Sequence, residues 1–301
     1  MTTGNANFNK IVIIQSLKDY LTGNKLQDDL NILTIFTNGI VSSELIDVEN
    51  KKAFKASLTS IKKDVLSGKY RPIIHIEAHG NRDNNGLTLA SGESITWQEM
   101  KIPLAEINEA THFNLIVCIS ACYGGSLAKA LGTNDRAPCW ALVGPKEAMY
   151  PDDLLKDYTG FYEEIFKTKS GSVALKRLNK DLAGNDAKYF YTTAEWFFEM
   201  VWINYLRVYC TKENLNKRAN EMLKNLRKGN LKYLPSRNEI KNDILRRHPD
   251  SFTKSKEIFF MMDLFQENRD RFLVDYENIL QKAHEAQQSA SRDRRVAPGS
   301  S

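Results

Sequence analysis

Along the first two-thirds of the chain, apolar residues follow two alternating rhythms. Short runs at 11–14 (IVII), 31–36 (NILTIF), 72–78 (PIIHIEA), 115–121 (LIVCISA), 139–143 (CWALV) and 189–193 (YFYTT) read as six strands. The run LIVCISA is almost wholly apolar, as a strand buried on both faces of a parallel sheet has to be. Between these runs, apolar residues recur three or four apart. Phe54, Leu58, Ile61 and Leu66 mark a helix over 51–66. Further helices are predicted near 15–21, over 97–107 with Pro103 inside, and over 126–131, 153–167 and 172–182. Strands alternating with helices predict an α/β fold, a mostly parallel six-stranded sheet flanked by helices. Ligands of such sheets sit at the carboxyl ends of the strands.

After Thr193 the strand signal stops. Residues 194–210, 215–228, 237–247 and 254–284 have helical character, with turn signals at Gly229-Asn230, Pro235 and Pro249. The chain therefore divides into an α/β domain over 1–194 and an α-helical subdomain over 195–290. The polar, aperiodic residues 291–301 predict a disordered tail. The aromatic group Tyr189–Tyr191, Trp196–Phe198 and Trp202 reads as core joining the sheet to the helical third.

Charge is unevenly distributed. Residues 195–301 hold 20 Lys+Arg against 15 Asp+Glu, leaving 22 of each for 1–194, so the helical third carries the whole net charge of +5. No nucleic-acid motif accompanies that excess, and a solvated helical surface accounts for it better than nucleic-acid binding does. No run approaches 18 apolar residues, which predicts no membrane span. The polar N-terminus runs directly into IVII, unlike a signal peptide, and predicts a cytoplasmic protein. In that compartment Cys118, Cys122, Cys139 and Cys210 are expected as free thiols. Their spacing matches no zinc site, so no metal or other cofactor is expected.

Two strands end in reactive residues. PIIHIEAHG places His79 and Gly80 at one carboxyl edge, and LIVCISACYGG places Cys122 at another. The two side chains are 43 residues apart, which suits neighbouring parallel strands joined by one crossover. A thiolate is the competent nucleophile, and a nearby imidazole can take its proton and later protonate a leaving amine. Gly124 and Gly125 would let the backbone approach a substrate carbonyl, and a short helix beyond them would favour the thiolate. The amides of Gly80 and Cys122 are natural oxyanion donors. Cys118 and Cys139 read as buried thiols, and His75, deeper in its strand, as structural. Glu77 shares the face of His79, where it or a backbone carbonyl would orient the ring.

A hydrophobic strand ending in His-Gly, followed by another ending in Ala-Cys with glycine close behind, resembles the signature of caspase-like cysteine peptidases. That group includes caspases, metacaspases, legumains, gingipains, separases and bacterial CHAT peptidases. CWALVGPKEAMYPDD, GFYEEIF and SGSVAL look most like the CHAT and separase branch. The resemblance spans about residues 10–194 and implies a caspase-like sheet with His79 and Cys122 as a catalytic dyad. It also implies protein substrates and, for compact bacterial members, a role in stress or antiphage defence under control of an activating partner or ligand, for which the helical third is the expected dock. In this branch an acidic residue after the fifth strand receives a basic substrate side chain, a role that falls to Asp152 or Asp153; helix capping is the competing use. Ser120 stands where caspases carry glutamine, two before the nucleophile, which argues against selection of aspartate. Two other readings compete with a peptidase cutting after Arg or Lys: a non-catalytic partner-binding module, and a nucleic-acid-associated effector using the basic helices.

Overall fold

The computed structural model describes residues 7–180, 186–229 and 233–296, with side chains to 288. It divides into two compact units, Met1–Gly132 with Arg136–Ala194, and Thr133–Asp135 with Glu195–Ser301. The expected helix end at 182, the turn at Asn230 and the last five residues of the tail lie outside the described residues.

The first unit is an α/β fold built on a mixed, mostly parallel sheet. Its elements begin β1 (Lys10–Ser16), α1 (Thr22–Leu33), β2 (Ser42–Asp47), α2 (Lys51–Leu66) and β3 (Pro72–Gly80). A small hairpin follows, β4 (Gly86–Thr88) and β5 (Ser94–Thr96), then α3 (Trp97–Ala110) and β6 (Ile116–Ser120). The unit ends with β7 (Ala141–Pro145), α4 (Pro151–Thr168), α5 (Gly171–Leu178) and β8 (Tyr189–Thr193). The main order is β2-β1-β3-β6-β7-β8, with β4 pairing the end of β3. Only β8 runs antiparallel within that order.

Side-chain alternation gives the sheet two cores. Val12, Ile14, Ile74, Ile76, Val117, Ile119 and Leu142 share one with Phe54, Leu58 and Ile61 of α2 and Met100 and Leu104 of α3. Ile11, Ile13, Ile73, Ile116, Cys118 and Val143 share the other with Leu26 and Leu30 of α1 and Tyr158, Phe161 and Tyr162 of α4. The α3 start is fixed by a capping box in which Thr96 accepts from Glu99 N–H and the Glu99 carboxylate accepts from Thr96 N–H. That backbone bond, with Lys51 beside it, holds the Glu99 carboxyl down at about 2.

Three local expectations are corrected. The run NILTIF is not a strand: it ends α1 and forms a 3-10 turn, Thr34–Thr37. The second strand is instead SSELID at 42–47, a half-exposed edge strand whose polar residues hide its periodicity. No helix occupies 15–21, where β1 continues to Ser16 and α1 starts only at Thr22.

The second unit contains α6, which starts at the preceding Ala194 (Ala194–Asn204), α7 (Lys212–Arg227), α8 (Arg237–Arg246), α9 (His248–Phe259), α10 (Glu267–Arg271) and α11 (Tyr276–Val296). The π-helical turn Tyr205–Tyr209 extends α6. Pro249 opens α9 rather than separating helices, because proline's fixed φ suits the first turn. The long helix expected over 254–284 breaks near Met261, whose φ of 53° no helix accommodates. The unit has an aromatic core of its own: Phe198 packs on Trp202, Phe252, Phe259 and Phe260, and Phe260 stacks on Phe272. The helix α11 runs on to Val296 where a disordered tail was expected from 291, in keeping with the helix propensity of Ala, Arg and Gln.

Phe198 is fully buried, whereas Trp196 is 50% exposed. Phe198→Ala should therefore cost about 3–5 kcal/mol in denaturant unfolding of the second unit. Trp196→Ala should cost clearly less than Phe198→Ala.

Candidate active site

The sheet order reverses between β1 and β3, since the chain leaves β1 for β2 on one side and β3 for β6 and β7 on the other. The crevice at the carboxyl ends there is where open α/β sheets bind ligands. His79 ends β3 beside it, exposed, and its ring has no hydrogen-bond partner among the described residues. Across the parallel β3–β6 ladder, His75 faces Cys118 and Glu77 faces Ser120. The ladder ends at that pair, two residues short of His79 on β3 and of Cys122 in the turn after β6.

A backbone contact joins the two strand ends. A Cβ added at Gly80 would lie 2.3 Å from the carbonyl oxygen of Cys122 and 3.1 Å from its Cβ. Only glycine allows that approach. The Asn81 N–H donates to Gly86 O in the β3–β4 hairpin, so alternation along β3 turns the Gly80 N–H away from β4.

Cys122 is partly exposed, and its Sγ donates weakly to Met149 O at 3.8 Å. Tyr123 follows at a φ of 58°, an uncommon conformation for a bulky residue and one that clusters at functional turns. Its N–H donates to Glu147 O at 3.2 Å. The segment 146–150 between β7 and α4 is thus tied to the nucleophile turn at two points.

The other thiols are unsuited to attack. Burial pushes Cys118 and Cys139 each up to about 12, which keeps them protonated. Burial also raises Cys210, which lies in the second unit beside Tyr205 and His248.

Several expected roles change. Glu77 does not orient His79: Glu77 Oε1 meets His75 Nε2 at 2.8 Å, and Oε2 accepts from the Thr22 hydroxyl at 2.8 Å. His75 Nδ1 in turn lies 2.9 Å from Tyr162 OH, so His75 belongs to a buried polar network, as a structural histidine does. The glycines after Cys122 serve packing. A Cβ on Gly124 would meet Ile119, and one on Gly125 would meet Phe190 and Gly144. The turn they form, Gly124–Ala130, is a 3-10 helix whose first amide donates to Ala121 O. Asp152 and Asp153 are exposed in the first turn of α4, where they favour the positive helix end without capping it; Tyr150 is the N-cap. Ser120 is 2% exposed, and its Oγ has no hydrogen-bond partner among the described residues. Among the described residues no group of three or more His, Cys, Asp or Glu side chains is placed to hold a metal ion. No described helix is long and apolar enough to cross a membrane.

No local signal marks Thr22 as a partner of Glu77, or the Met149 carbonyl as the acceptor for the thiol. Tyr123 was detectable only as the residue between Cys122 and Gly124-Gly125. Neither a protein-family model nor a curated protein matches the chain.

Alkylation with iodoacetamide near neutral pH should modify Cys122 well before Cys118 or Cys139, as peptide mass mapping would reveal. Gly80→Ala should cost about 1–3 kcal/mol in unfolding, because the strand ends have to separate. Gly171→Ala, with open space around its Cβ, should be neutral or stabilising by up to about 1 kcal/mol.

Proposed function

We propose that the chain is a caspase-like cysteine endopeptidase in which Cys122 is the nucleophile and His79 the general base and acid. The observation that carries this reading is the meeting of Gly80 with Cys122. It sets the only thiol that is partly exposed at a strand end against the strand that ends in an exposed, unengaged imidazole.

In the proposed reaction His79 takes the proton of Cys122, and the thiolate attacks the scissile carbonyl carbon. The N–H groups of Gly80 and Cys122 donate to the developing oxyanion. His79 then protonates the leaving amine as the C–N bond breaks, leaving a thioester on Cys122. Water, deprotonated by His79, attacks that thioester, releases the acid and restores the thiol. The substrate class is protein cut after Arg or Lys. Asp152 and Asp153 contribute a negative field on the helix that follows β7. The thiol's bond to Met149 O suits a resting state that a partner or ligand relieves.

Cys122→Ala should abolish cleavage of fluorogenic Arg peptides without lowering the melting temperature. His79→Ala should slow it by roughly 10²–10⁴-fold. Cys118→Ala should retain activity. A Cys122→Ala variant that still cleaves would overturn the reading.

A further inference from the structure

On the face that carries His79 and Cys122, the row one step deeper in the sheet is polar. The register aligns Gln15 with Glu77 and Glu77 with Ser120, directly above the row Ile13, His75 and Cys118, with Ile11, Ile73 and Ile116 deeper still. Gln15 is fully engaged: its amide donates to Asn24 and Asp47, and its oxygen accepts from Gly23 N–H. Glu77 is held by Thr22 and His75. Ser120, equally buried, has a hydroxyl with no partner among the described residues. A buried hydroxyl left without a partner is uncommon and calls for an explanation.

We propose that Glu77 and Ser120 form the floor of the pocket that receives the substrate side chain before the scissile bond, with Glu77 selecting a guanidinium. The proposal rests on the cysteine-peptidase reading and assigns its specificity residue. Depth supports it. Two strand residues separate Ser120 from Cys122 and Glu77 from His79, about 6–7 Å along the strand, the reach of an arginine or lysine side chain. Chemistry supports it too. Guanidinium has five donors and no acceptor, each carboxylate oxygen can accept a second bond beside those from Thr22 and His75, and the Ser120 hydroxyl is free to accept. A carboxylate shielded from water also discriminates charge better than the exposed Asp152 and Asp153 can.

The row is closed in this structure, with Glu77 and Ser120 each 2% exposed. A substrate side chain reaches the row only if Thr22, which donates to Glu77, gives way together with segment 146–150 at the rim, held by the 3.8 Å thiol contact to Met149 O and the Tyr123–Glu147 bond. The thiol contact is weak, and the Tyr123–Glu147 bond is an ordinary backbone hydrogen bond that a bound peptide has to replace.

The test compares kcat/KM for two fluorogenic peptides that differ only in Arg or its neutral isostere citrulline before the cleaved bond. The full chain is used, with melting curves and Cys122 alkylation measured on every variant. Glu77→Gln keeps the shape and bonding capacity of the side chain, and it should lower the Arg-to-citrulline ratio about ten-fold or more. Ser120→Ala should lower it less, in the same direction. Asp152→Asn should change it little. An unchanged ratio in Glu77→Gln, or a ratio that collapses in Asp152→Asn alone, overturns the assignment. Should Glu77→Gln fail to fold, Ser120→Ala decides: a reduced ratio supports the pocket floor, and an unchanged one removes it. A wild-type chain that is alkylated at Cys122 but cleaves neither peptide defeats the peptidase reading itself, a different result from a peptidase indifferent to Glu77.

Discussion

Everything at the candidate site depends on how closely the backbone at Gly80 approaches that at Cys122. The parallel pairing of β3 with β6 aligns the strands up to Glu77 and Ser120. Beyond that point no ladder continues, and the missing Cβ of Gly80 is what lets the two ends close. A second close approach backs the first: Gly125 and Gly144 leave no room for a Cβ between the nucleophile turn and β7. The turn is therefore wedged from both sides, and the left-handed Tyr123 is the conformation that fits between. Overlap of this kind in a packed interior allows few alternatives.

The two faces of the sheet divide the work. One is apolar except for Ser16 at the end of β1, and it packs α2 and α3 as an ordinary core. The other begins apolar and turns polar near the carboxyl ends, through His75, Glu77, Ser120 and Gln15. Buried polar groups are tolerated there because almost all are paired, His75 to Tyr162 and Glu77, Glu77 to Thr22, and Gln15 to Asn24 and Asp47. The network also ties α1 and α4 to the strands that end in the reactive residues.

The central strands were legible because they are buried on both faces and read as continuous apolar runs; β3 and β6 match PIIHIEAHG and LIVCISA to within a residue or two. The edge strand SSELID was not, since one solvated edge and half-exposed side chains leave no apolar run to see. His79 and Cys122 could be singled out because strand ends and glycines are local features. The role of Glu77 could not, because its partner Thr22 lies 55 residues away and nothing in either segment announces the other. The glycines after Cys122 were visible but misread: sequence reveals that a close approach occurs, not which neighbour makes it.

The period-two alternation of β6 has a further consequence. Ile119 and Ala121 serve one core while Cys118 and Ser120 face the other side, and Cys122 follows in the turn that the strand's end positions. Losing or gaining a single residue between Ile116 and Cys122 would turn the thiol through the sheet and drive an apolar side chain into its place. The strand is therefore open to exchange of one residue for another but closed to any change in length. The spacing from the sheet interior to Cys122 is thus as much a part of the site as the cysteine itself.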